Sequence, residues 1–210
     1  MVCIRLAQEA DAEAIAAIYA PYVERSVVSF ESVPPDREET LRRMVETTAT
    51  YPWLVCERGG RVAGYAYATQ HRVRAAYRWS VDTSVYIDTD CHRRGIGRGL
   101  YTSLFAILKA QGFYNAYAGI TLPNAASVGL HEAVGFTAVG VYEWVGHKFG
   151  KWHDVGWWQR TLQDHIVSPA EPLPLPSILH LPEWNRLVGA GEEHVRDSHS
   201  NRNGAVDRPV

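Results

Sequence analysis

The stretch from Asp88 to Gly112, DTDCHRRGIGRGLYTSLFAILKAQG, constrains the fold of this chain more than any other. Three glycines and three arginines lead directly into a stripe of apolar residues at helical spacing, Leu100, Leu104, Ile107 and Leu108. Gly112 supplies a helix stop. The strand-like segment WSVDTSVYID precedes the glycines, and another, NAYAGITL, follows the helix. The pattern predicts a parallel β-α-β crossover whose helix begins at a glycine-rich turn.

A turn of this kind is suited to holding an anion. The first backbone N–H groups of a helix lack intrahelical acceptors and carry partial positive charge. Glycines let a phosphate approach these groups closely, and nearby arginines add charge. The spacing does not match the GxxxxGK[ST] pattern of a P-loop, and no acidic residue follows at the distance that a dinucleotide-binding fold requires. A tight structural turn with arginines on the surface remains open as the alternative.

The rest of the chain predicts a mixed α/β (α+β) fold. Apolar patterns and turn residues give the order β-α-α-β-β-β-α-β-α-β-β, with a hairpin around Gly59-Gly60 and helices on both faces of one central sheet. This pattern ends near residue 162, which defines a domain over residues 1–162. Residues 163–182 are proline-rich and predict an extended segment. Residues 183–210 are polar and predict a disordered tail.

Composition excludes several classes of function. The net charge is −2, from 21 basic and 23 acidic side chains, so no general basic field favours nucleic acid. No apolar run is long enough to span a membrane. The three cysteines form neither a disulfide framework nor a CxxC metal motif, which predicts a cytoplasmic protein without a metal site.

The segment His92–Gly97, HRRGIG, resembles the acetyl-CoA-binding motif [RQ]xxGxG/A of the GNAT N-acetyltransferases, with His in place of the usual Arg or Gln. Further blocks, including AYRWSVDTSVYI, GITLPNAASVGLHEAVGF and GHKFGKWHDVGWWQ, resemble the phosphinothricin N-acetyltransferases. The resemblance extends from about Ile4 to Leu179. Members of that family are homodimers that acetylate the amino group of phosphinothricin or of related compounds such as methionine sulfoximine.

The resemblance implies the GNAT fold, in which two parallel strands splay apart and the pantetheine arm of acetyl-CoA enters the gap. The same comparison implies that the backbone of Arg93 through Arg98 takes the pyrophosphate. Asn124 would bond the pantetheine arm, although a helix cap is its alternative role. The residues expected to bind the coenzyme are Val85, Tyr86, Ile87, Arg93, Arg94, Gly95, Ile96, Gly97, Arg98 and Asn124.

The resemblance also implies two catalytic residues. Asp82 occupies the position where the family carries a glutamate proposed as the general base, and a strand-end aspartate bonded to backbone is the alternative. His131 matches the family's catalytic histidine and would protonate the leaving thiolate or position the amine, unless it is simply packed in the core. Arg72 and Arg74 match basic positions of the family and would bind the acidic groups of the substrate. Phe30 and Tyr86 would line its pocket.

The expected function is therefore acetyl-CoA-dependent N-acetylation of phosphinothricin or a related amino acid analogue by direct transfer. Two alternatives remain at this point. One is an acetyltransferase for a protein amine, and the other is a module that binds acetyl-CoA without turnover, which the shorter side chain of Asp82 favours.

Overall fold

The computed structural model describes residues 1–196 of the 210-residue chain. Its seven strands are β1 (Val2–Leu6), β2 (Trp53–Arg58), β3 (Arg61–Gln70), β4 (Ser80–Ile87), β5 (Asn115–Leu122), β6 (Thr137–Lys148) and β7 (Lys151–Thr161). Its helices are α1 (Ala12–Glu24), α2 (Arg37–Thr48), α3 (Ile96–Gln111), α4 (Ala125–Ala133) and α5 (Trp184–Val188). Apart from α5, this is the element order that the sequence predicted.

All seven strands form one sheet in the order β1-β2-β3-β4-β5-β7-β6. Strands β4 and β5 are parallel and are connected through α3, whereas the other neighbouring strands are antiparallel. The parallel contact is short, with the register pairs Ser80–Asn115, Val81–Ala116 and Asp82–Tyr117. Beyond Asp82 the two strands separate, which confirms the predicted mixed sheet with a splayed parallel pair.

Helices cover both faces of the sheet, as predicted. The apolar stripe of α3 is completely buried on one face, because Leu100, Leu104, Ile107 and Leu108 have no exposed surface. A second cluster joins the apolar side of α1 and Met44 of α2 to Trp53, Val55 and Tyr65 on the opposite face. Burial of a large apolar side chain contributes about 1.5–3 kcal/mol, so these two layers fix the sheet that carries the site.

Residues 183–196 differ from the disordered tail that their polar composition predicted. They form α5 and a short 3-10 turn, Glu192–His194, and Val195 is buried in the main core. The Glu192 carboxylate accepts a hydrogen bond from the backbone of Ile4 at 2.8 Å. Arg196 N–H donates to the carbonyl of Arg94. Further long-range hydrogen bonds join Gly191 to Ser103 and Arg58 to the carbonyl of Arg196, and together with a few apolar residues these contacts order the segment. Residues 197–210 lie outside the described part of the chain.

Candidate active site

The glycine turn presents free backbone donors at the start of α3. Gly95 precedes the helix with φ of 80°, and the first intrahelical bond runs from Gly99 N–H to the carbonyl of Gly95. The amides of Ile96, Gly97 and Arg98 therefore have no acceptor within the helix. Arg93, Arg94 and Arg98 are exposed around them. This geometry fits a pyrophosphate group, which the aligned N–H groups and the helix dipole would both stabilise.

The glycines in this turn have a role that the sequence did not reveal. A Cβ at Gly95 would overlap the backbone oxygen of His194, and a Cβ at Gly99 would lie 2.7 Å from the carbonyl of Gly191. At Gly97 the neighbour is instead a methyl group of Leu130 on α4, at 2.8 Å. Because Gly95 and Gly99 have no side chain, the C-terminal segment can pack against the start of α3. At these two positions the glycine makes room for the protein's own backbone and not for an anion.

The gap between β4 and β5 leaves backbone groups available to an extended ligand. The N–H of Asp88 donates to Ala63 on the β3 side, and backbone direction alternates along a strand. Val85 and Ile87 therefore point their backbone groups towards β5, which no longer pairs with β4 at this level. The Ile87 carbonyl already accepts a hydrogen bond from the Tyr22 hydroxyl at 2.6 Å. Val85 is consequently the more open of the two backbone positions expected to bind pantetheine.

Asn124 caps α4 at the far end of β5. Its Oδ1 accepts a hydrogen bond from the backbone N–H of Ser127 at 3.1 Å. The Nδ2 group makes no hydrogen bond within residues 1–196 and remains free to donate to a ligand in the gap. Cap and ligand contact are therefore compatible, because they use different atoms of the same amide.

Asp82 lies at the last register pair before the strands separate, and it is held by a histidine. Asp82 Oδ1 lies 2.6 Å from Nδ1 of His71, a residue that sequence reasoning did not single out. Burial raises the pKa of the Asp82 carboxyl, and the hydrogen bond from His71 and the charges of His71 and Arg72 partly oppose this rise. The contact follows from the antiparallel register of β3 and β4, in which Thr69 lies opposite Asp82, and the sequence pattern alone does not give that register.

His131 is enclosed in the α3 layer, with only 4% of its surface exposed. Its Nδ1 lies 2.7 Å from the carbonyl of Ser127, to which Nδ1–H donates. The remaining nitrogen, Nε2, then accepts from the hydroxyl of Tyr101 at 2.8 Å. Burial lowers the pKa of His131 and favours the neutral ring. Both nitrogens are therefore occupied, as expected for a packed histidine.

The residues predicted to bind substrate differ in their surroundings. Arg72 is exposed, donates to the backbone carbonyl of His71 at 2.7 Å and lies over the ring of Trp157. Arg74 is exposed, and its side chain makes no hydrogen bond or ion pair within the described chain. Phe30 is 40% exposed and packs its ring against Gly146. The ring of Tyr86, by contrast, packs against Tyr19, Tyr22 and Tyr65.

A cavity of about 220 Å³ lies between α1, α2 and the sheet. It extends to Thr69, the register partner of Asp82, and its wall includes an ion pair between Glu31 and Arg43 at 2.8 Å. The cavity therefore approaches Asp82 from the α1 and α2 face.

Within residues 1–196, no cluster of three or more His, Cys, Asp or Glu residues suited to a metal ion occurs. No helix in the same range is long and apolar enough to cross a membrane.

Comparisons with known proteins agree with this geometry. The family model for the acetyltransferase (GNAT) domain matches residues 4–157. A phosphinothricin N-acetyltransferase from Streptomyces viridochromogenes is 42% identical over 178 residues, covering 85% of this chain and 95% of that protein. An L-methionine sulfoximine/L-methionine sulfone acetyltransferase from Salmonella typhimurium is 34% identical, covering 80% and 98% respectively.

Several solved structures are similar to this chain over most of their length, and one of them serves as the example. It is a phosphinothricin acetyltransferase of the GNAT superfamily from Sinorhizobium meliloti in complex with acetyl-CoA. The TM-score is 0.78 at 34% identity, and the match covers 82% of this chain and 95% of that one. The splayed strands, the free amides of α3 and the match to the domain model all agree. This chain therefore belongs to the GNAT family of acetyltransferases.

Proposed function

We propose that this protein transfers the acetyl group of acetyl-CoA to the amino group of phosphinothricin or a related amino acid analogue such as methionine sulfoximine. The observation that carries the proposal is the position of Asp82, a partly buried carboxylate at the point where β4 and β5 separate. The free amides of α3 lie beyond the other end of β4. The names of the similar proteins support this class of substrate.

Acetyl-CoA supplies an activated thioester, and the chain supplies the surroundings. Amides of Arg93 through Arg98 bind the pyrophosphate, while Val85, Ile87 and Asn124 orient the pantetheine arm. The substrate amine must lose a proton before it can attack, and the Asp82 end of the gap provides an acceptor. Backbone N–H groups along β4 are suited to stabilise the oxyanion that forms during transfer. His131 would protonate the leaving thiolate only as an imidazolium ion, because Nε2 of the neutral ring accepts from the Tyr101 hydroxyl and carries no proton of its own. Its other proposed role is to position the amine.

The test is thiol release from acetyl-CoA with a panel of amines. The panel contains phosphinothricin, methionine sulfoximine, the common amino acids and a short peptide with a free N-terminus. We expect thiol release and an acetylated product with phosphinothricin or methionine sulfoximine. Preference for the peptide would support a protein-amine acetyltransferase, and acetyl-CoA binding without release on any amine would support a non-catalytic module.

Arg72 and Arg74 are proposed to bind the acidic groups of the substrate. A hydrogen bond to a charged group contributes roughly 1.5–3 kcal/mol, so replacing Arg74 with Ala is expected to raise KM about 10- to 100-fold. Arg74 gives the sharper test, because Arg72 also contacts His71 and Trp157. The measurement is KM for the amine together with acetyl-CoA affinity by calorimetry, with exposed Arg61→Ala as the matched control. An equal fall in acetyl-CoA affinity would contradict the assignment.

We propose that two copies form a homodimer through the β6 edge of the sheet. The β6-β7 hairpin exposes seven large apolar side chains: Val139, Val141, Tyr142, Trp144, Val145, Phe149 and Trp152. An apolar edge strand left uncovered would promote aggregation, and pairing with a second copy would cover it. Light scattering at micromolar concentration is expected to give a dimer mass for the wild type and a monomer mass for Val141→Asp. The control is Val167→Asp at an exposed position outside the sheet, and a monomeric wild type would refute the dimer.

A cytoplasmic location completes the proposal, since acetyl-CoA is the acetyl donor and Cys3, Cys56 and Cys91 are free thiols. Acetylation would neutralise the substrate's amino group, so expression is expected to protect a host from phosphinothricin.

A further inference from the structure

His71 is held rigidly beside Asp82 by aromatic neighbours. Its ring stacks on Tyr117 with 4.3 Å between centroids, and it meets the rings of Tyr77 and Trp157 edge-on. Tyr117 is the register partner of Asp82, so the histidine sits over the last pair before the gap. Only 12% of the His71 side chain is exposed. A side chain fixed in this way presents its nitrogens in one orientation.

The contact with Asp82 defines which nitrogen carries the proton. A carboxylate accepts hydrogen bonds, so Nδ1–H donates to Asp82 Oδ1 at 2.6 Å. Nε2 of the neutral ring then carries a lone pair. No residue between 1 and 196 makes a hydrogen bond to this nitrogen, and the contact with Asp82 uses the other one. The arrangement is that of a carboxylate-oriented imidazole base with its acceptor atom unoccupied.

We propose that His71 is the group that takes the proton from the substrate's ammonium, at Nε2, and that Asp82 is its positioning residue. This proposal rests on the acetyl-transfer function proposed above. The ammonium N–H bond breaks, its electron pair stays on nitrogen, and the proton forms a bond to Nε2. The neutral amine then attacks the thioester carbonyl carbon. As the C–S bond breaks, the nitrogen loses a second proton and the thiolate gains one, so a single proton is released overall.

The geometry explains how an aspartate can serve at a position where the resemblance implies a glutamate. The Asp82 side chain is one methylene shorter, and its Oδ1 is already engaged by His71. The proton is therefore taken by Nε2 of His71, and the Asp82 carboxylate does not need to contact the amine. Histidine is also the side chain that most often serves in general acid–base catalysis.

The charged and titratable groups around His71 are few. Asp82 faces it from β4, Tyr117 from β5, and Tyr77 from the turn before β4, while Arg72 is its neighbour in the chain. Trp157 on β7 adds an uncharged wall. The Asp82 carboxylate stabilises an imidazolium ion, and the positive charge of Arg72 opposes it.

The experiment compares kcat/KM against pH for the wild type and two variants. His71→Asn keeps an N–H donor that can bond Asp82 but has no basic nitrogen, whereas His71→Phe keeps a stacking ring and loses both nitrogens. Each is expected to lower kcat/KM at neutral pH by ~10²–10⁴. The defect is expected to shrink as pH rises towards the pKa of the amine. His180→Phe, at an exposed turn, is the matched control and is expected to behave as the wild type.

Calorimetric titration with acetyl-CoA separates a chemical defect from misfolding, and at least His71→Asn is expected to bind as the wild type does. Wild-type kcat/KM across the pH range in His71→Asn would overturn the proposal and leave the proposed function intact. A loss of kcat/KM in His71→Asn that is equally large at every pH would also overturn the proposal and leave the proposed function intact. A wild type that binds acetyl-CoA but acetylates no amine in the panel would overturn the proposed function, and this proposal with it.

Discussion

Replacing Asp82 with Asn is expected to lower kcat/KM for the amine by ~10²–10⁴ at neutral pH. The substitution keeps the shape of the side chain and removes the negative charge. An asparagine at this position can still accept a hydrogen bond from His71, but it cannot stabilise a protonated ring. The defect is expected to decrease at high pH, where more of the amine is neutral without assistance.

Three controls make this prediction specific. Acetyl-CoA affinity is expected to stay unchanged, because the free amides of α3 lie beyond the other end of β4. Asp164→Asn, at an exposed position, is expected to have wild-type kinetics. Asp82→Glu is expected to keep activity, since it restores the residue that the family carries. Wild-type kcat/KM for Asp82→Asn at neutral pH would make Asp82 a structural aspartate.

The double variant tests whether Asp82 and His71 act as one unit. If Asp82 works through His71, adding Asp82→Asn to His71→Asn is expected to cost little further activity. If the carboxylate itself receives the proton, the two effects are expected to multiply. The comparison needs only kcat/KM for the wild type, the two single variants and the double variant.

The sequence predicted the local elements that position the site. Alternation and helical spacing identified β4, α3 and β5, and the buried Leu100 and Leu104 confirm which side of α3 faces the sheet. The crossover rule then made β4 and β5 parallel. These features depend on patterns within a few residues, so they can be derived without knowing the fold.

The contacts between distant segments were not predictable in this way. The bond between Asp82 and His71 requires the register of β3 against β4, which a hydrophobic pattern does not specify. Residues 189–196 pack against α3, which lies roughly a hundred positions earlier in the chain. The polar sequence GAGEEHVR contains no pattern that predicts this contact. Composition described this segment correctly as polar, but the buried Val195 and the long-range hydrogen bonds of Glu192 and Gly191 hold it against the core.

Gly95→Val is expected to abolish detectable acetyl-CoA binding. Gly95 has φ of 80°, which is a strained conformation for a β-branched residue and costs of order 1–3 kcal/mol. In addition, a Cβ at this position would overlap the backbone oxygen of His194. A backbone atom cannot move aside as a flexible side chain can. The turn, the C-terminal segment or both must shift, and the free amides of Ile96 and Gly97 lose their alignment.

Two matched substitutions separate these causes. Gly59→Val has a comparable φ of 62° but no neighbour within 4 Å, so it measures the backbone strain alone and is expected to leave acetyl-CoA affinity unchanged. Gly97→Val lacks the positive φ and meets only the Leu130 side chain, so it is expected to weaken binding less than Gly95→Val. The measurements are acetyl-CoA affinity by calorimetry and the free energy of unfolding in urea. If Gly95→Val bound acetyl-CoA as tightly as Gly59→Val, the turn would not be the pyrophosphate site, because a backbone displaced at Gly95 cannot keep its amides aimed at one anion.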